Sequence, residues 1–294
     1  MITLILRLGV VCLLTVLSYS QVHAEPESVG TVEFIEGKVE ATAPSATPRF
    51  LQKNTNIYAG DTVATDASGE VHVEMADGGF IALRPNTIFR IDSYTANGEA
   101  DDNETFTLLN GAIRSITGWI GKLNPEGYHL QTATATIGIR GTDHETIYIA
   151  PDSSGGETPG TYDRVNSGAT VLRSEQGEVE IASGQAAHAP HGAHVRPQLL
   201  SRVPALFERR RTRHEERVSL YASRVHQHIG ERLRRRGFLN RGETLGQFLL
   251  RKRPRGASTR GMPHDHGRGE QRIRGNNQSR MRERHARHAH GEVN

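Results

Sequence analysis

Three features of the sequence predict an all-β domain of short antiparallel strands and tight turns, either a sandwich or a short irregular β-helix. A basic α-helical extension and a disordered tail follow it. The first feature is a period of two over residues 30–190. In Glu70–Met75, Val71, Val73 and Met75 share one face, and Glu70, His72 and Glu74 share the other, as in a half-buried strand. The second is a recurring strand opening of glycine, spacer and valine at Gly30, Gly37, Gly69 and Gly177. Its spacing is irregular, so it marks short strands and tight turns rather than a regular solenoid. The third is a division of charge. Residues 25–195 carry 10 Lys/Arg against 24 Asp/Glu, net −14, and residues 196–294 carry 25 against 9, net +16. An overall charge of +3 thus conceals an acidic folded part and a basic part poor in apolar residues.

The elements follow in order. Residues 1–24 read as an export signal: Arg7, an apolar run of about ten residues from Leu8 to Leu17, and Val22-His23-Ala24 at the cleavage positions. That run is half of the roughly 20 residues a membrane span needs. The only cysteine, Cys12, lies within this segment, so the remainder holds no disulfide, cysteine zinc site or thiol nucleophile. The β domain occupies 25–190. Asp77-Gly78-Gly79 between two apolar runs marks a central hairpin. Further strands are expected at 106–109, 128–130, 133–139 and 145–149. Residues 110–119 read equally as strand or short helix. Residues 151–168 read as an exposed loop, and 169–172 with 178–181 as a last hairpin.

Beyond this domain the period becomes helical. Val218, Tyr221, Val225, Ile229 and Leu233 are spaced 3, 4, 4 and 4 and form one apolar stripe, which Gly237 ends. A second short helix is expected over 243–250. Residues 196–253 therefore form the basic helical segment. Residues 254–294, dominated by Arg, His and Gly, form the tail expected to be disordered.

Several segments together resemble the FecR domain family. They are the Gly60-Asp61 turn before Thr62–Thr65, the Asp77-Gly78 hairpin with Ile81 and Leu83, the segment Leu109 to Arg114 around Gly111, and the stretch from Thr132 that ends in Arg140-Gly141-Thr142. A closing hairpin over 168–185 completes the set. The resemblance implies an exported β domain in which these residues are structural. The family's iron-uptake regulator carries a cytoplasmic anti-sigma segment and a membrane span ahead of that domain. Here an export signal leads into it, so the resemblance implies fold and compartment rather than signalling output.

No catalytic constellation emerges. Asp61 and Asp77 read as turn caps beside glycine, with Glu74 and Asp92 as strand carboxylates. Asp143-His144-Glu145 reads as a solvated β-edge, and Arg140 as a partly buried guanidinium that pins a β-turn. Neither a G-x-S-x-G elbow nor a phosphate loop is present. No cofactor is expected. His264, His266, His285, His288 and His290 have ligand-like spacing, but surrounding arginines oppose a cation. Arg209, Arg210, Arg211, Arg234, Arg235, Arg236, Arg251, Lys252 and Arg253 are the candidate contacts to an anionic envelope surface or an acidic protein partner. Nucleic acid is disfavoured, because the tail lacks interleaved aromatics and the expected compartment is the periplasm of a Gram-negative bacterium. The sequence therefore points to a non-enzymatic exported binding or scaffold module, with a periplasmic signalling component as the alternative.

Overall fold

The computed structural model describes residues 27–153, 156–192, 195–209 and 214–252. The expected export signal (1–24) and tail (254–294) lie outside the described residues. Fifteen strands form one sheet: β1 (Ser28–Glu36), β2 (Val39–Thr42), β3 (Arg49–Phe50), β4 (Asn56–Tyr58), β5 (Thr62–Thr65), β6 (Glu70–Met75), β7 (Phe80–Leu83), β8 (Ile88–Thr95), β9 (Asn103–Ile116), β10 (Tyr128–Gln131), β11 (Thr136–Ile149), β12 (Gly160–Ser174), β13 (Gly177–Ala182), β14 (Ala186–Pro190) and β15 (Gln198–Leu199). The helices are α1 (Trp119–Leu123), α2 (Leu206–Arg209), α3 (Glu215–Arg235) and α4 (Leu245–Lys252).

Three long strands determine the architecture. The first half of β9 pairs with β8 and β10, and its second half with β7 and β11. Likewise β12 pairs first with β14 and later with β13. The long strands thus change partners midway, and the sheet folds over on itself into two half-sheets. The bends fall at Gly111 on β9 and at the facing Gly141 and Gly168 on β11 and β12, all at positive φ (96°, 62° and 84°). At Gly111 only glycine serves, since an added Cβ would lie 2.6 Å from the Thr87 Cα. The ladder between β11 and β12 shifts register between Arg140 and Asp143, as expected of a bulge. The segments expected as separate strands at 133–139 and 145–149 are therefore one bent strand, and 110–119 divides into the end of β9 and α1.

A single apolar core fills the space between the half-sheets, with Val32, Val63, Val73, Ile81, Leu83, Phe89, Phe106, Ile113, Leu130, Ile137 and Leu172 among its members. The back half-sheet (β4, β1, β6, β7, the end of β9 and β11, the start of β12, β14) is buried on its outer face too. There Phe80, Ala82, Ile116, Trp119 and Ile120 meet Val218, Tyr221, Val225, Ile229 and Leu233 of α3 and Phe248 of α4. Residues Leu206 and Phe207 of α2 cover Ala112, Ile147, Ile149 and Tyr162. This explains why Phe80–Leu83 reads as an unbroken apolar run: a strand covered on both sides loses the alternation of a half-buried one. It also corrects the expectation for β6, whose polar face is not solvated. Glu70 and His72 are 2% and 1% exposed and pair with each other at 2.6 Å.

Helix α3 is locally well specified. Glu215 and Glu216 occupy its first turn and Arg232, Arg234 and Arg235 its last, which complements the helix dipole. Gly237, at φ +74°, ends it in a Schellman arrangement: Phe238 N donates to Leu233 O at 2.9 Å and Gly237 N to Arg234 O at 3.0 Å. The stripe expected from spacing is the face that docks. Each of its fully buried side chains contributes roughly 1.5–3 kcal/mol, against about 0–1 kcal/mol for an exposed ion pair. Apolar packing therefore dominates the seating of the helix, and the basic segment belongs to the same compact unit as the sheet.

The helix approaches the β6–β7 turn closely. Gly78 lies at φ +74°, and a Cβ there would come within 2.8 Å of the Ile229 Cα. Gly78→Ala is expected to destabilise the protein by about 2 kcal/mol or more, from left-handed strain and lost contact. Ile229→Ala, at a site of 0% exposure, is expected to cost about 2–5 kcal/mol. Urea unfolding measures both; losses below about 0.5 kcal/mol would show that α3 is not seated on this turn.

Candidate functional site: a charged seam beneath the helices

The outer face of the back half-sheet carries a row of charge where its strands cross. Arg114 of β9 lies opposite Glu145 of β11, which lies opposite Arg164 of β12. Glu145 accepts from Arg84 on one oxygen and from Arg164 on the other. Arg114 grips Asp143 with Nε and Nη2 at 2.8 and 2.6 Å, the bidentate geometry that suits guanidinium and carboxylate. Asn166 Nδ2 donates to both Asp143 and Glu145 at 3.2 Å. The helical segment completes the seam: Glu208 of α2 accepts from Arg164 at 3.0 Å, and Glu215 of α3 accepts from Arg114. Arg84 and Glu145 are each 1% exposed. Burial alone would raise the Glu145 carboxyl, but the charges of Arg84 and Arg164 outweigh it and hold it below the usual value.

The segment Asp143-His144-Glu145 is therefore not the solvated edge expected from sequence. Asp143 and Glu145 face the seam, and His144 faces inward. His144 Nδ1 lies 2.9 Å from Asp163 Oδ1 and its Nε2 lies 3.1 Å from the Tyr128 hydroxyl, which donates to Ser115 Oγ at 3.3 Å. The order Ser–Tyr–His–Asp resembles a proton relay. Its members are 0–2% exposed, and Thr146 and Thr170 also donate to Asp163. Closed from solvent, the chain ties β9, β10, β11 and β12 together.

The third polar group surrounds Asp77. Its Oδ1 accepts from Gly79 N at 2.9 Å and its Oδ2 from Ile120 N at 3.3 Å, so the expected turn cap also anchors α1. Burial raises its pKa. Burial, and then the charge of Asp77, raises that of Glu104 well above the ordinary carboxylate value. Burial likewise lowers that of Lys122.

The remaining predicted residues disperse. Gly60 lies at φ +88° in the turn before β5. Asp61 is fully buried and does more than cap: it takes Arg49 Nη1 at 2.8 Å and Tyr58 N at 2.9 Å. Thr142 N donates to Thr117 Oγ1 at 3.0 Å beside the bend at Gly141. Arg140 departs from expectation. Its side chain is 56% exposed and only 3.7 Å from the equally exposed Glu180, because the bulge turns it to solvent instead of into a turn. Glu74 pairs with Arg232 at 3.1 Å, and Asp92 pairs with Arg90. Of the basic candidates, Arg209 pairs with Glu157, Arg236 with Glu27, Arg251 with Glu243 and Lys252 with Glu99. Arg234 and Arg235 are exposed, the latter 3.9 Å from Glu231. Arg210, Arg211, Arg253 and the five tail histidines lie outside the described residues. Sequence reasoning missed Arg84, Arg114, Arg164 and Glu215; the arginine just after the apolar strand β7 and the one within the apolar end of β9 were the available signal.

The folded sheet, bent at its glycines and covered by helices, defines a mostly β domain. Residues 61–185 match the family model described as FecR protein, and the chain carries a FecR domain over that span. No curated protein matches the chain. Two solved structures of a candidate anti-sigma factor from Parabacteroides distasonis ATCC 8503, at 1.65 and 2.50 Å, each show 11% identity and a TM-score of 0.38. Each alignment covers 49% of this chain and 61% of that one. A structure described as a cell surface anchoring domain is 26% identical over 21% of this chain and 82% of its own, with a TM-score of 0.21.

Glu145→Ala should destabilise the protein by about 3–5 kcal/mol, since it strands buried arginines. The stability that Glu145 supplies is present above the ordinary glutamate pKa and is lost as pH falls through its depressed folded value. Glu104 has the opposite sign: its contribution is present at low pH and is lost as pH rises through its raised value. Glu104→Gln should therefore raise the thermal midpoint at about pH 7 and leave it nearly unchanged at about pH 4. Equal effects at both pH values would refute the assignment.

Proposed function

We propose that this FecR-domain protein is an exported, non-enzymatic envelope module that binds an acidic protein partner or anionic surface through the outward face of α3. One observation carries the reading. The apolar stripe of α3 is buried against the sheet, while Arg217, Arg224, Arg234, Arg235 and the adjacent Arg241 are exposed. Glu216 and Glu231 offset part of this charge on the same face. Such a helix has no apolar face left to insert into a bilayer, so attraction by charge is its remaining mode. Among the described residues, no helix is long and apolar enough to cross a membrane. The burial of the relay-like Ser115–Asp163 chain supports the non-enzymatic reading. The export signal read at 1–24 supports the periplasm. The family match favours a second reading, a periplasmic component of a FecR-type signalling system, which a change in sigma-factor reporter output on deletion of the gene would support.

Cosedimentation with phosphatidylglycerol vesicles, and capture of envelope proteins, test the first reading on the full chain. Binding should weaken by about tenfold or more between 0.05 and 0.5 M salt, as expected for screened charge. It should also be reduced in Arg224→Glu/Arg235→Glu. Binding that is indifferent to salt and to these charges would refute it.

A further inference from the structure

A groove of about 960 Å³ opens beside the charged seam, between β12, the Ser183-Gly184 turn and residues 200–208. Its size suits a short ligand segment. We propose that this groove binds an acidic peptide segment, taking a carboxylate at Arg164 and Arg202 and an aliphatic side chain along Leu200, Val203 and Pro204. The site is separate from the outward face of α3.

Arg164 forms the floor. Its Nη2 is engaged by Glu145 and its Nη1 by Glu208, while its Nε is buried without a hydrogen-bond partner. The side chain is 14% exposed and is held from below by Glu145, itself 1% exposed. It also packs over the Phe207 ring, 5.1 Å from the centroid. The guanidinium is thus fixed in orientation before any ligand arrives, which reduces the ordering cost of binding. Glu208, by contrast, is 57% exposed, and an ion pair held at such a surface is worth only about 0–1 kcal/mol. An incoming carboxylate that replaces Glu208 accepts from the Arg164 Nη1 of a guanidinium already held in place by Glu145.

Arg202 supplies the second charge. It is exposed and forms no ion pair among the described residues. The opposite requirement, apolar contact, is met by Leu200, Val203 and Pro204, each half-buried. The lining contains no aromatic ring, so it lacks the stacking platform that nucleotide bases use. An aliphatic residue next to a carboxylate, as in an acidic peptide, matches both features.

The full-length protein would be titrated by calorimetry with acetyl-Leu-Glu-Val-Asp and with its uncharged counterpart acetyl-Leu-Gln-Val-Asn-amide. The acidic peptide should bind at least about tenfold tighter. Arg202→Glu, an exposed change, should weaken it by about tenfold, and Glu208→Ala, which vacates Arg164, should tighten it about threefold. Arg224→Glu on α3 should leave it unchanged. Equal affinity for the two peptides, no binding of either, or indifference to Arg202→Glu would overturn the proposal. A loss with Arg224→Glu as large as with Arg202→Glu would place the peptide on the helix face, which would overturn the groove while leaving the proposed function standing.

Discussion

The structure depends on one constraint: a continuous sheet is bent at Gly111 of β9, opposite Tyr148, and, at the other end of the β9–β11 ladder, at the facing Gly141 and Gly168 of β11 and β12. Left-handed backbone at these positions turns β9, β11 and β12 without breaking them. Once the sheet is folded, one half faces its partner across the main core and its outer surface remains to be covered. That surface carries Phe80, Ala82, Ile116, Trp119 and Ile120, too apolar a patch to leave in water. The C-terminal helices are the cover, and their amphipathic period is the counterpart of that patch.

The same outer surface is where the chain places its buried charge. A row of arginines and carboxylates between sheet and helices would be costly if any member lacked a partner. Arg114, Arg164 and Glu145 each contact two opposite charges, and Glu208 and Glu215 bring charges from α2 and α3. Apolar contact provides the energy of docking, and the seam fixes where along the sheet the helices come to rest. The basic segment consequently plays two parts. Arg209, Arg232, Arg236 and Lys252 neutralise acidic groups of the β domain, and the remaining exposed arginines define a face. Four such ion pairs thus join the acidic and basic regions among the described residues.

That division of labour shapes the functional reading. The FecR domain supplies a framework of turns and bends in which Gly60, Asp61, Asp77, Gly78 and Gly111 hold backbone in place. The two proposed recognition surfaces lie elsewhere, on α3 and in the groove beside Arg164. Both surfaces use the C-terminal segment, which extends past the matched domain. Binding specificity of this kind comes from residues added to the common fold.

The legible parts of the sequence were those governed by local rules. Alternation located β6, the glycine pair located the β6–β7 hairpin, and the stripe from Val218 to Leu233 identified both α3 and the face it buries. Turn chemistry anticipated the cap at Asp77. What could not be read depended on a second layer. Periodicity reports two faces of a strand but not what lies across from each, so Glu70 and His72 seemed solvated, Asp143 to Glu145 seemed an edge, and Arg140 seemed buried. Only the creased sheet, bringing strands distant in sequence into one row and laying α3 across them, decided which charges are paired within and which face outward. By itself the sequence determined the β domain, its turns and its docking helix, because these follow from backbone geometry and apolar spacing. The tertiary structure decided the seam, the groove and the exposed arginine face, because electrostatic partnership depends on distance in space rather than separation along the chain.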